Sequence, residues 1–208
     1  VARILALAQR WRLPDGVPVV MLPGRLTRWK GQMVFLEALA RLGDVECMGV
    51  IVGGDQGRTS YREELDERIA ALGLETKVRI VGDVNDMAAA FMLADVVVSA
   101  STDPEAFGRI VVEAQAMGRP VIASRHGAAP ETAVEGATGW LVPPADPAAL
   151  AAAVRIALGL SPEQRRAMAR AAEAHARGKF AKDTMCAKTL ALYQAVVAAG
   201  RAAEVRPR

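Results

Sequence analysis

The stretch "VVMLPGRLTRWKGQMVFLEALARL", residues 19–42, is the first of the strand-and-helix units that decide the fold. Its first four residues are all apolar, which predicts a strand over 19–22 that is buried on both faces. A short loop with two glycines and three basic residues follows, and the apolar spacing after Gly31 predicts a helix over 32–42. The unit therefore places fixed positive charge directly after a buried strand.

The same order of elements is repeated along the chain. Alternating strands and helices indicate a Rossmann-like α/β fold, a parallel sheet with helices on both faces. Ligands of such sheets bind at the carboxyl ends of the strands, where the glycine-rich and polar loops of this chain also fall. The predicted strands are 19–22, 47–52, 78–81, 96–99 and 121–123, and the predicted helices between them are 32–42, 60–72, 87–93, 110–117 and 131–135.

After Asp146 the pattern becomes helical. Asp146 before a proline predicts one helix start, and the Ser161–Gln164 capping box predicts a second. We divide the chain into a Rossmann-like domain over 1–160, C-terminal helices over 161–200 and a disordered tail over 201–208. The helices are expected to pack on the domain or on a domain outside this chain, because the first residue is Val1 and the opening residues have the character of a linker and helix.

Composition narrows the function classes. The 208 residues are 52% hydrophobic, and 26 basic and 23 acidic residues give a net charge of +3 that is mixed along the chain, which argues against nucleic-acid binding. Cys47 and Cys186 are widely separated in apolar surroundings, which predicts buried, reduced thiols in a cytosolic protein. No apolar stretch is long enough to cross a membrane. The chain has only two histidines and no clustered acids with metal-ligand spacing, which argues against a metal site.

Arg25 and Lys30 are the first candidate binding residues. Gly24 allows an unusual backbone turn at the strand end, and Gly31 is placed to open the next helix. A helix start attracts anions, arginine matches phosphate oxygens with a planar fork, and lysine adds a compact charge. The loop is therefore a candidate diphosphate site. A solvated basic loop is the alternative that the spacing leaves open.

The stretch "STDPEAFGRIVVEAQAMGRPVIAS", residues 101–124, carries two candidate carboxylates. Glu105 lies in the loop after the fourth predicted strand, and Glu113 lies eight residues later in the following helix. Carboxylates accept hydrogen bonds from vicinal hydroxyls, and the helix start between them suits phosphate. The two can therefore face one pocket that reads a sugar and a diphosphate. The alternative is that Glu105 caps the helix and Glu113 faces solvent.

These stretches, followed by "APETAVEGATGWLVPPADPAALAAAV", resemble the C-terminal, donor-binding domain of retaining glycosyltransferases with the GT-B fold, most closely family 4. The likeness runs from about residue 13 to residue 193. It rests on an arginine with a lysine five residues later, two glutamates eight residues apart, and a proline-glutamate pair before a G-x-x-G-W-L-V-P stretch. Two positions depart from the usual pattern: Ala106 replaces a glycine or proline, and Gly127-Ala128 replaces a glycine pair.

The resemblance implies a role for each candidate residue. Arg25 and Lys30 bind the donor diphosphate and stabilise its departure, and Glu105 contacts hydroxyls of the transferred sugar, so these three are the implied catalytic residues. Glu113 holds the ribose. The remaining implied donor contacts are the strand-end residues Gly24 and Asp55, the nucleobase subsite Val81, Gly82 and Val84, and the diphosphate cradle Phe107, Gly108, Arg109, Ile110 and Val111.

The implied activity is transfer of a hexose from a nucleotide-diphospho-sugar to an acceptor with retained configuration and without a metal or cofactor. Its implied setting is cytoplasmic synthesis of cell-surface glycan, glycolipid or lipopolysaccharide. The implied partners are the donor and an N-terminal acceptor-binding domain, with peripheral contact to the inner face of a membrane left open. Two alternatives also stay open: a nucleotide-sugar-binding module without turnover, and a sugar-nucleotide epimerase of similar fold.

Overall fold

The computed structural model describes residues 1–43, 45–57 and 59–204. Its strands are β1 (Val19–Pro23), β2 (Met48–Val52), β3 (Val78–Ile80), β4 (Val96–Ser99), β5 (Val121–Ser124) and β6 (Gly139–Val142). Its α-helices are α1 (Ala2–Arg10), α2 (Gln32–Ala40), α3 (Thr59–Ala71), α4 (Met87–Leu93), α5 (Arg109–Ala116), α6 (Ala129–Thr132), α7 (Pro147–Leu158), α8 (Pro162–Phe180) and α9 (Lys182–Glu204).

The strands form one sheet in the order β3-β2-β1-β4-β5-β6, and every neighbouring pair is parallel. The predicted Rossmann-like class is therefore confirmed. Strand order reverses between β1 and β4, which lie side by side although β2 and β3 separate them in the chain. At this switch point the loops after β1 and β4 meet, and a crevice for a ligand forms there in open parallel sheets.

Two hydrophobic clusters cover the two faces of the sheet. One contains Phe35 and Leu36 of α2, Leu65 of α3 and Leu150 of α7, all at most 1% exposed. The other contains Phe91 of α4, together with residues of α5 and the strands. β1 and β2 are buried at every position, as the continuous apolar runs of the sequence predict. The sheet is thus a rigid platform that fixes the loops at its edge.

Most predicted elements match the observed ones to within a few residues, with two differences. β6 was not predicted: it is a short run that begins with a glycine, and it becomes a strand by pairing with β5. The helix predicted over 131–135 is observed as α6 at Ala129–Thr132, because Ala133 is extended and Val134 donates its backbone N–H to the Thr138 hydroxyl instead.

The C-terminal helices begin where the capping residues predict. Asp146 accepts from the backbone of Ala148 and Ala149, and the Ser161–Gln164 capping box is complete. α8 packs against α5, whereas the large apolar side chains that α9 carries between residues 185 and 197 are exposed. The tail predicted over 201–208 begins within α9, and 205–208 lies outside the described residues.

The prediction of two buried thiols is correct for Cys47 and wrong for Cys186. Cys47 lies just before β2 in the core, and burial is the main cause that raises the pKa of its thiol. Cys186 lies on α9. Apolar residues near it in the sequence, such as Met185 and Leu190, are also exposed in the described structure. Among the described helices, none combines the length and the hydropathy that a bilayer span requires.

Candidate functional site

The loop after β1 is folded against the end of β4. A single 3-10 turn, Arg28–Lys30, follows the loop, and Gly31 closes it with a positive φ of 74°. The backbone N–H of Thr102, just beyond β4, donates to the carbonyl oxygen of Trp29 over 2.8 Å. A methyl group on Gly31 would overlap the backbone carbonyl of Ala100. The sequence thus brings the Lys30 turn into direct backbone contact with the β4 loop.

Lys30 and Glu105 form an ion pair across the switch point. The Lys30 Nζ lies 2.9 Å from the Glu105 Oε1, and only 14% and 19% of the two side chains are exposed. The ammonium also lies 4.3 Å from the ring centre of Trp29. Two residues that are 75 positions apart in the chain therefore share one site, as the sequence predicts for them.

Hydroxyl groups hold the Glu105 carboxylate in place. Ser101 donates a short hydrogen bond to Glu105 Oε1, and Ser99 lies 3.5 Å from the same oxygen. Burial alone would raise the pKa of Glu105, but the hydrogen bonds from Ser101 and Lys30 and the Lys30 charge together keep that pKa below its usual value. Glu105 is therefore an ionised, oriented acceptor at neutral pH.

The loop after β5 supports Glu105 from the other side. His126 Nε2 lies 2.8 Å from the Ser101 carbonyl oxygen, so this nitrogen donates and fixes the serine. Ala128 donates its backbone N–H to the Glu105 carbonyl over 2.9 Å. Gly127 has a positive φ of 54° and lies against the Glu105 backbone, where a methyl group would not fit. Ser99, Ser101, Glu105 and His126 line one small pocket.

The α5 start lies next to this pocket. Gly108 is its N-cap in the left-handed region, φ 72°, and no side chain caps the helix, so Glu105 does not cap it. The first backbone N–H groups of a helix lack intrahelical partners and carry a partial positive charge. Gly108 and Val111 line the pocket with Glu105. An anion at this position would thus find the N–H groups at the start of α5, and the Lys30 ammonium lies close by on the Glu105 carboxylate.

Arg25 and Glu113 are placed differently from this pair. Arg25 is exposed, and its side chain has no hydrogen-bond or ion-pair partner among residues 1–43, 45–57 and 59–204. Glu113 pairs with Arg109 one turn earlier on α5, at 2.7 Å. It is not among the residues that line the Glu105 pocket. The structure thus brings Lys30 and Glu105 into contact, leaves Arg25 free at the edge, and holds Glu113 on the helix surface.

The loops after β2 and β3 form the adjoining edge. Gly53 donates to the Gly82 carbonyl over 2.9 Å, and Asp83 accepts from the Gly54 N–H over 2.7 Å. Asp55 accepts from Gly57 within its own turn. Val81 and Val84 are partly buried against the sheet. The predicted nucleobase residues therefore belong to a loop pair that Asp83 locks, a role that the sequence did not signal.

Gln32 is a further supporting residue that sequence reasoning did not single out. It is fully buried at the start of α2, and its Nε2 donates to the Arg25 carbonyl over 2.8 Å. The Tyr61 hydroxyl lies 3.3 Å from Gln32 Oε1. Burial is the main cause that raises the pKa of Tyr61 to about 12, so this hydroxyl stays protonated and donates. A glutamine that follows a charged loop gives no indication in the sequence that it is buried. The burial of Gln32 is evident only from the packing in the structure.

Replacing Gln32 with alanine is expected to lower the free energy of unfolding by about 1–3 kcal/mol, because the partly buried Arg25 carbonyl loses its donor. The Tyr61→Phe variant is the matched control: it removes only a hydroxyl and is expected to cost about 1 kcal/mol or less. Urea denaturation measures both. Equal losses in the two variants would show that Gln32 does not support the loop through this bond.

The sequence matches the family of group 1 glycosyl transferases over residues 5–175. The chain belongs to this family, and its sheet and helices form the C-terminal domain of a GT-B glycosyltransferase.

Individual relatives agree with this assignment. The D-inositol 3-phosphate glycosyltransferase of Arthrobacter sp. (strain FB24) is 37% identical over 202 residues, which is 92% of this chain and 47% of that protein. A glycosyltransferase from Rickettsia africae has a TM-score of 0.91 and 31% identity, covering 94% of this chain and 52% of that one. Anabaena HepE, solved with UDP and glucose, has a TM-score of 0.83 and 32% identity over 91% of this chain and 52% of that one. The chain thus spans about half the length of these proteins.

In the part of the chain that the structure describes, no group of three or more His, Cys, Asp or Glu side chains is placed to hold a metal ion.

Proposed function

We propose that this chain is the donor-binding half of a retaining, family 4 glycosyltransferase that moves a hexose from a nucleotide-diphospho-sugar to an acceptor. The observation that carries the proposal is the Lys30–Glu105 ion pair at the switch point beside the start of α5. Cation, carboxylate and free N–H groups lie together there, which is the set of groups that a sugar diphosphate requires. Anabaena HepE, which shares this fold, is solved with UDP and with UDP-glucose.

Each group has a distinct task in the proposed reaction. Breaking the bond between sugar and diphosphate develops negative charge on the leaving phosphate. Lys30 and the N–H groups at the start of α5 are held in place before the reaction, so they stabilise this charge more in the transition state than in the ground state. Arg25 adds a second positive charge at the edge of the site. Glu105, held ionised by Ser101, accepts hydrogen bonds from sugar hydroxyls. Protein groups provide the positive charge in this scheme, which therefore includes no metal or cofactor.

Arg25 offers the most direct test of donor binding. Because its side chain has no partner in the described structure, its removal should not affect folding. The Arg25→Ala variant is expected to bind nucleoside diphosphate about tenfold or more weakly, since it loses a charge-assisted hydrogen bond. Calorimetric titration of UDP, GDP and ADP into both proteins measures the difference. Arg166→Ala, an exposed arginine on α8, is the matched control and is expected to bind as the unaltered chain does.

Equal affinity in the Arg25→Ala and unaltered chains would contradict the assignment of this loop to the diphosphate. Failure of all three nucleotides to bind the unaltered chain would contradict the donor site as a whole.

The acceptor side of the reaction belongs to an N-terminal half in this proposal. The relatives are about twice as long as the matched region, and one is a D-inositol 3-phosphate glycosyltransferase. Cytoplasmic synthesis of a surface glycan, glycolipid or lipopolysaccharide is the setting that the family resemblance suggests. A second candidate is a module that binds the donor without turnover. An assay of donor hydrolysis and sugar transfer by these 208 residues distinguishes the two, because turnover by the chain alone excludes the module.

A further inference from the structure

The C-terminal end of α8 touches the loop that carries Glu105. Phe107, two residues after Glu105, is 44% exposed, yet its ring lies edge-on to the ring of Phe180 with centroids 5.7 Å apart. Phe180 is the last residue of α8, and the backbone becomes extended at Ala181. An aromatic side chain beside the proposed donor site is therefore in contact with the end of α8, the helix that packs against α5.

Phe180 is itself fixed by two neighbours. The His175 ring lies edge-on to it with centroids 5.4 Å apart. Lys179 donates to the Glu131 carbonyl over 2.8 Å, which ties the end of α8 to α6. The Lys179 ammonium also lies 5.3 Å from the Phe180 ring centre. Phe180 thus has a defined position before it meets Phe107.

His175 connects this contact to the core. Its Nδ1 lies 3.0 Å from Gln115 Oε1, and Gln115 is fully buried on α5. The Gln115 amide nitrogen donates to the Thr132 carbonyl and to the Thr138 hydroxyl, so its oxygen faces His175, whose Nδ1 donates. Thr132 also lines the pocket that contains Glu105. The end of α8 is therefore joined to two elements that border the site.

We infer that Phe180 is a positioning residue for the proposed donor site: its ring holds Phe107 and, through it, the left-handed turn at Gly108 that opens α5. The Glu105 backbone is already held by a hydrogen bond, since Ala128, the residue before α6, donates its N–H to the Glu105 carbonyl. Among the residues that the structure describes, none forms a backbone hydrogen bond with Phe107, so the ring contact restrains the segment between Glu105 and the helix. The N–H groups that would receive the diphosphate begin at that turn. The inference rests on the proposed function and adds a residue outside the motifs that the sequence predicts for the site.

The test uses the whole 208-residue chain and two measurements. Amide hydrogen exchange reports the order of residues 105–111, and calorimetry reports the affinity for UDP. In Phe180→Ala, exchange over 105–111 is expected to become about three- to tenfold faster, and UDP binding about threefold weaker, because one aromatic contact restrains the loop. Phe180→Tyr keeps the ring and is expected to restore both values. Tyr193→Ala removes an exposed ring from α9 and is expected to change neither.

Unchanged exchange over 105–111 in folded Phe180→Ala would overturn the inference. Faster exchange with unchanged UDP affinity would overturn it too, since the contact would then order a loop without acting on the site. If Phe180→Ala does not fold, Phe107→Ala removes the same contact from the exposed side, and the same outcomes decide. If the unaltered chain binds no nucleoside diphosphate, the proposed function fails, and exchange alone decides whether Phe180 orders the loop.

Discussion

Replacing Lys30 with alanine is expected to lower the rate of sugar transfer by about 100- to 1,000-fold, as removal of one preorganised donor does in other active sites. Of the two candidate cations, Lys30 is the one that the fold holds in place: its side chain is 14% exposed and contacts both Glu105 and the Trp29 ring. Charge that develops on a leaving phosphate at this point would meet an ammonium that needs no rearrangement. The loss should fall mainly on kcat, because the interaction strengthens in the transition state.

The measurement is kcat and KM for transfer in a protein that combines this chain with an acceptor-binding half. Lys30→Arg keeps the positive charge but replaces a compact ammonium with a planar fork, so it is expected to retain part of the activity. Lys188→Ala, an exposed lysine on α9, is the matched control for loss of one charge. Urea denaturation shows whether Lys30→Ala is folded. A folded Lys30→Ala variant with unchanged kcat would contradict the proposed role.

Much of the fold was predictable because the strands are buried on both faces. β1, β2, β4 and β5 are continuous apolar runs, and their alternation with helical segments fixes a parallel sheet. β6 carries a weaker signal, because it is only four residues long and begins with a glycine, and its pairing with β5 completes it as a strand. The order of strands and hence the switch point follow from tertiary packing. The sequence thus predicts which segments are strands and helices better than it predicts which strands lie side by side in the sheet.

The candidate site was predictable only where charge and spacing mark it. Lys30 and Glu105 stand out as charges beside glycines at strand ends, and the structure brings them into contact. The supporting side chains carry no such mark: Ser101 orients Glu105 and Gln32 holds a carbonyl, but serines and glutamines are common in loops and helix starts. For Glu113, the sequence signal was present but the structure places the residue differently. Its spacing from Glu105 suggested a shared pocket, whereas its partner in the structure is Arg109 at the i−4 position.

Glycine at position 31 is the backbone feature on which the Lys30–Glu105 contact depends. Its φ of 74° is unfavourable for other residues, and its α-carbon lies against the Ala100 carbonyl at the end of β4. Ala100 directly follows a central strand, so its carbonyl cannot move without disturbing the sheet. A side chain at position 31 would push the Lys30 turn away from β4 and break the bond between Thr102 and Trp29.

The Gly31→Ala variant is therefore expected to lose about 4–5 kcal/mol of unfolding free energy, a value in the range that only clashes and buried defects produce. Gly16 provides a matched control, since it has a φ of 76° but open space where the methyl group would go. Gly16→Ala is expected to cost about 1–2 kcal/mol from the left-handed backbone alone. Urea denaturation of both variants distinguishes the cost of the overlap with Ala100 from the cost of the left-handed backbone conformation. Similar losses at the two positions would mean that the Lys30 turn moves away from β4 at little cost in free energy. The contact between this turn and β4 would then not be what keeps the ion pair in place.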